Sequence, residues 1–79
     1  MTEKTFVLIQ TEIEVAKTAD VVAAIKQLGE ERIKSVSAVS GPYDIIVVIE
    51  WGTMDEIDTV IEKIRAIAGV YRTETCLAI

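Results

Sequence analysis

Histidine is absent from this 79-residue chain, and cysteine and proline each occur once. With Cys76 alone, no disulfide closes within the chain and no Cys/His zinc constellation can assemble. The side chain that most often serves as general acid or base is missing too, and nothing stands ready to activate Cys76 as a thiolate nucleophile. A small buried core or interface residue is the better account of that cysteine. Basic residues are also few. Eight Lys and Arg stand against thirteen Asp and Glu, for a net charge of −5, and the eight are scattered, whereas phosphate recognition needs clustered cations. Direct binding to nucleic acid is therefore not expected. No apolar run approaches the roughly 20 residues that span a bilayer, and the start MTEKTF lacks the basic region and apolar core of a secretory signal. The expected location is the cytoplasm, with no membrane partner.

What the chain does have is apolar mass. Hydrophobic residues make up 51% of it, enough for one globular domain over residues 1–79 and too much for disorder. A chain this short buries only about 60 to 65% of its unfolded surface by folding alone. With disulfide and zinc excluded, self-association is the remaining supplement.

The segment KTFVLIQTEIEV places Thr5, Val7, Ile9, Thr11 and Ile13 on one face and Phe6 and Leu8 on the other, which predicts a strand over 4–15. In TADVVAAIKQLG, Thr18 is an expected N-cap, Val21, Val22, Ile25 and Leu28 recur at helical spacing, and Gly29 is a stop. A second strand is predicted over 32–40, ending in the turn Ser40-Gly41-Pro42, and a third over 43–51. Thr53 and Glu56 then have the spacing of a capping box. They open a helix in which Ile57, Val60, Ile61, Ile64 and Ile67 form the apolar stripe, and Gly69 closes it. The alternating VYRTETCLAI is the fourth strand, over 70–79.

The order βαββαβ implies a ferredoxin-like α+β fold, a four-stranded antiparallel sheet with both helices on one face. A sheet whose other face meets water should alternate apolar with polar residues. Strand three does not, since Ile45, Val47 and Ile49 oppose Ile46 and Val48, and strand one repeats the anomaly with Phe6 and Leu8. Burying each such side chain is worth about 1.5 to 3 kcal/mol, and exposed together they form an association-prone patch. The expectation is a dimer joined through the open faces of two sheets; the alternative is a monomer with an unusually apolar surface.

Candidate chemistry is sparse. Glu30-Glu31 and Asp55-Glu56-Asp58 invite a divalent cation, but carboxylates at helix ends already have a capping or dipole role. Lys26, Lys63 and Arg65 are most simply solvated helix charges, and Trp51 suits rim packing as well as a ligand pocket. The turn Ser40-Gly41-Pro42-Tyr43-Asp44 is different. Gly41 admits backbone conformations that other residues resist, Pro42 stiffens the loop, and Asp44 stands before an apolar strand. Its carboxylate can accept bonds from an ammonium group or from loop amides, or it can simply tie its own turn.

Two pieces of sequence carry a resemblance. Val39-Ser40-Gly41-Pro42-Tyr43-Asp44 is similar to the V-S-G-x-Y/F-D turn of the Lrp/AsnC (feast/famine) regulators, and Ala68-Gly69-Val70-Tyr71-Arg72-Thr73-Glu74-Thr75 is similar to their P-G-V-x-x-T-x-T ending, with Ala68 in place of proline. Over essentially its whole length the chain resembles their ligand-binding RAM domain. The resemblance implies dimers joined through their sheets, rings of dimers that are commonly octamers, and an amino acid or related small effector bound between dimers. It implies that Gly41, Tyr43 and Asp44 contact the amino acid, and that Ala38, Met54, Thr75 and Cys76 line or tune its pocket. No cofactor or metal is expected. Full-length regulators place a helix-turn-helix domain ahead of this one, and here Met1 stands a few residues before strand one, so the similarity is to a stand-alone form. A non-enzymatic, oligomeric amino-acid-sensing module is the leading expectation, whether as a sensor by itself, as a modulator of a full-length Lrp/AsnC regulator in mixed assemblies, or as a fragment of one. A small dimeric α+β-barrel enzyme and a purely structural assembly module are the competing ones.

Overall fold

The computed structural model describes residues 3–79. The elements follow in the expected order: β1 (Glu3–Thr11), α1 (Thr18–Gln27), β2 (Ile33–Ala38), β3 (Ile45–Trp51), α2 (Met54–Arg65) and β4 (Val70–Leu77). The strands form one antiparallel sheet in the order β2-β3-β1-β4. Alternation sorts its faces. Thr5, Val7 and Ile9 of β1 and Ile45, Val47 and Ile49 of β3 are buried, and Val21 and Ile25 of α1 pack there with Val60 and Ile64 of α2. Both helices therefore cover the same face. Among the described residues Thr5 is the one buried polar residue; its hydroxyl accepts a bond from the Trp51 indole, and Trp51 packs at the rim of the core.

The opposite face carries Phe6 and Leu8 of β1 beside Val48 and Ile46 of β3, with Cys76 and Glu74 of β4 at one flank and Ser35 and Ser37 of β2 at the other. Phe6 remains 37% exposed. Cys76 is exposed as well, so it is not a core residue of the single chain.

Helix α2 starts as its sequence dictates. Thr53 Oγ1 accepts from Glu56 N, and Glu56 Oε1 accepts from Thr53 N at 2.8 Å and Gly52 N at 3.1 Å. Helix α1 departs from expectation. Its N-cap is Lys17, which supplies no side-chain cap, and Thr18 is the first helical residue, its hydroxyl 3.1 Å from that of Thr11. Strand β1 is also shorter than its alternation suggests. The register shifts between Gln10 and Thr11, and the Glu12 carbonyl then accepts from Val15 N at 2.8 Å and Ala16 N at 3.1 Å, closing a turn. Ile13 and Val15 are left 75% and 57% exposed.

A carboxylate network braces β2 against α2. Glu30 Oε2 lies 3.1 Å from Lys63 Nζ and Glu30 Oε1 3.6 Å from Arg32, which also bonds Glu56. Lys63 is thus an ion-pair partner and more than a solvated charge, and of the carboxylates considered for a divalent cation, Glu30 is held by cations and Glu56 by Arg32 and the helix cap. The Lys63 hydrogen bond, chiefly, holds the Glu30 carboxyl below its usual value of 4.5, against the opposing pull of burial. A lowered folded-state pKa means stability that is present above pH 4.5 and lost as pH falls through the folded value. The Glu30 side chain keeps 13% exposure and Lys63 48%, so the pair contributes about 1 kcal/mol or less. In urea unfolding, Glu30→Gln should be less stable than wild type at neutral pH, and the gap should close in acid.

Gly69 has φ +95°, which other residues resist, and an added Cβ would sit 2.7 Å from Ala16 Cβ and 3.0 Å from Val21 Cγ2. Its carbonyl accepts Glu12 N at 2.8 Å, joining the β1 end to the start of β4. Gly69→Ala combines backbone strain with overpacking and should lower the unfolding free energy by about 1 to 3 kcal/mol, read from chemical denaturation.

Candidate functional site

The Gly41–Asp44 turn joins edge strand β2 to β3 and leans on central strand β1. Gly41 has φ +139° and open space where a Cβ would be, so backbone conformation and not room selects glycine. Asp44 is tied by both main chain and side chain. Its N–H donates to Ile9 O at 2.9 Å, its carbonyl accepts Val39 N at 2.9 Å, and its Oδ2 accepts Thr11 N at 2.8 Å. That last bond has a structural origin: the pairing of β1 with β3 ends at Ile9–Ile45, and just beyond it the Asp44 carboxylate caps the Thr11 N–H. Turn-tying is therefore one role of Asp44. One N–H occupies a single lone-pair position of a group that offers about four.

Two more contacts fix the turn. Gln10 Nε2 donates to Pro42 O at 2.9 Å, and the Tyr43 hydroxyl donates to Glu74 Oε2 on β4. Gln10, Thr11 and Glu74 were not candidates from sequence. Their part follows from β1 lying between β3 and β4, and strand order is not written in local patterning.

Of the expected site residues, Ala38, Gly41, Tyr43 and Asp44 gather at this end of the sheet, Ala38 pairing with Ile45. The others do not join them within one chain. Met54 opens α2 beyond the far end of β3, about 20 Å away at 3.3 Å per strand residue. Thr75 and Cys76 lie on β4, the edge opposite β2, paired with Val7 and Phe6. Thr75 takes the helix side and Cys76 the open side. Two grooves elsewhere, about 200 Å³ between α1 and β2 and about 240 Å³ beside Arg32 and Gly52, exclude the turn. Both are smaller than the roughly 300 to 1,000 Å³ of ordinary small-molecule pockets. Among the described residues, no helix is long and apolar enough to cross a membrane.

Residues 4–79 match the family model described as the Lrp/AsnC ligand binding domain. The chain belongs to this family. As an Lrp/AsnC domain it is similar to a Thermus thermophilus protein solved by crystallography, with 32% identity, 98% of this chain and 92% of that one covered, and a TM-score of 0.84. The feast or famine regulatory protein of M. tuberculosis, solved with L-methionine, shares the fold at 18% identity and TM-score 0.76; the match covers 98% of this chain and 50% of that one. A homocitrate synthase of Sulfurisphaera tokodaii is 43% identical over 47 residues, 60% of this Lrp/AsnC domain but only 10% of the enzyme's length. The family is one of ligand-binding domains, which is consistent with a regulatory effector-binding module.

The cap on Thr11 separates two substitutions. Asp44→Ala strands a part-buried N–H and should cost about 1 to 3 kcal/mol of unfolding free energy, whereas Asp44→Asn keeps an acceptor and should lose clearly less, as thermal unfolding will register.

Proposed function

We propose that this domain binds an amino acid at an interface between chains, with the Gly41–Asp44 turn holding the charged end of the effector. The observation that carries the reading is the Asp44 carboxylate, fixed through Oδ2 by Thr11 N while retaining acceptor capacity for an ammonium group. Gly41 leaves main-chain groups approachable, Tyr43 belongs to the same turn, and Ala38 ends the strand that leads into it. The relative solved with L-methionine supports the chemical class of effector.

Assembly completes the site in this reading. The apolar patch of Phe6, Leu8, Ile46 and Val48 favours sheet-on-sheet dimers, because pairing removes from water the side chains that a single chain leaves partly exposed. Dimers then join into a ring, an octamer by family likeness, in which Met54 and residues of β4 approach the turn of another chain. Thr75 and Cys76 lie on opposite faces of edge strand β4, and in this reading both reach the effector pocket only where another chain meets that edge. An effector bound between chains stabilises the assembly that offers the site. A full-length Lrp/AsnC regulator sharing the ring would feel that shift. The match within homocitrate synthases favours a second setting for the same module, as a regulatory piece associated with an enzyme.

Isothermal titration with each of the twenty amino acids, followed by sedimentation, tests the reading. At least one amino acid should saturate the wild type and alter its assembly, and Asp44→Asn should bind it at least about tenfold more weakly through loss of the charge. A wild type indifferent to all twenty would leave the domain a structural assembly module, and undiminished binding by Asp44→Asn would remove the aspartate from the site.

A further inference from the structure

Tyr43 belongs to the turn that precedes β3, yet its hydroxyl bonds a carboxylate on β4, with all of β1 between. Adjacent strands lie about 4.8 Å apart, so the contact bridges about 10 Å across the sheet. Glu74 pairs with Leu8 and faces the open side, as Gln10 does. The Tyr43 side chain therefore crosses the end of β1 on the open face, beside the Gln10–Pro42 bond. The bonds from β1 fix the main chain of the turn, and the bond from Glu74 fixes its aromatic side chain.

We propose that Glu74 is a positioning residue for effector binding: it orients Tyr43 at the turn and makes the β4 strand that carries Thr75 and Cys76 part of the same mechanical unit. This rests on the effector reading above. A phenol donating to a carboxylate makes a charge-assisted bond, stronger than its neutral counterpart, and a ring held before binding loses less freedom when an effector arrives. Glu74 itself touches no effector in this scheme. Its influence runs through the Tyr43 hydroxyl.

The test compares Glu74→Ala, Glu74→Gln, Tyr43→Phe and the double variant Tyr43→Phe/Glu74→Ala by titration with the twenty amino acids, with hydrogen exchange of the turn amides measured in effector-free protein. Glu74→Ala should weaken binding about three- to tenfold, the scale of ordering one side chain, and should speed exchange at Tyr43 and Asp44. Glu74→Gln, which keeps an acceptor, should recover most of both. In the Tyr43→Phe background Glu74→Ala should have no further effect, because its partner is gone. Wild-type affinity in Glu74→Ala overturns the proposal and leaves the effector reading standing. A full additional loss in the double variant also overturns it, since Glu74 would then act by another route. Failure of the wild type to bind any amino acid removes both readings, whatever the exchange rates.

Discussion

The central position of β1, hydrogen-bonded to β3 on one side and β4 on the other, is the constraint from which the remaining features follow. It puts Thr5, Val7 and Ile9 under both helices, in the middle of the buried layer. It also decides where the strand must stop. Its pairing with β3 ends at Ile9–Ile45 and its register with β4 shifts at Gln10/Thr11, and the turn beside this end bonds to it: Asp44 N to Ile9 O, Thr11 N to the Asp44 carboxylate, Gln10 Nε2 to Pro42 O. A core strand thus becomes the anchor of the candidate site without any element devoted to that purpose.

The same pairing explains what was legible in the sequence and what was not. Period-two alternation and capping chemistry are local, so the βαββαβ order, the Thr53–Glu56 box and the buried stripe of Ile57, Val60 and Ile64 follow from neighbouring residues alone. The limits of β1 do not. Thr11 to Val15 alternates as convincingly as the strand before it, but the Glu12 N–H finds the carbonyl of Gly69, and the Glu12 carbonyl closes a local turn. A contact 57 positions away in the chain (69 − 12) ends the strand. Thr18 failed as a cap for a related reason: its hydroxyl meets Thr11, while Lys17 takes the capping position.

For the site, residue chemistry offered two roles for Asp44, local tie and ligand contact, and the geometry establishes the first without removing the second. The resemblance supplied seven residues as if they shared one place. The fold separates them, four at one end of the sheet, Met54 beyond the other end, and Thr75 and Cys76 on the far edge, where alternation turns them to opposite sides. A motif read along one chain cannot express a pocket that, as in the proposed assembly, several chains build. The open face shows the same limit, because its apolar character was evident from Phe6, Leu8, Ile46 and Val48, while the surface that covers it belongs to another molecule in the proposed assembly.

A tied aspartate is a better recognition group than a free one. An unanchored carboxylate on a mobile loop must be ordered when an ammonium group arrives, and that ordering subtracts from affinity. Here the ordering belongs to folding: Gly41 admits the turn, β1 supplies the donors, and the carboxylate is held by a bond that stabilises the strand end whether or not an effector is present. The arrangement also ties occupancy to the sheet. An effector that draws on Asp44 bears on Thr11, hence on the β1–β4 pairing and, through Tyr43, on Glu74, which faces the open side of the sheet where Phe6 and Cys76 are exposed. In the proposed assembly, binding and association are coupled because both load the same central strand, and no separate signalling path is required.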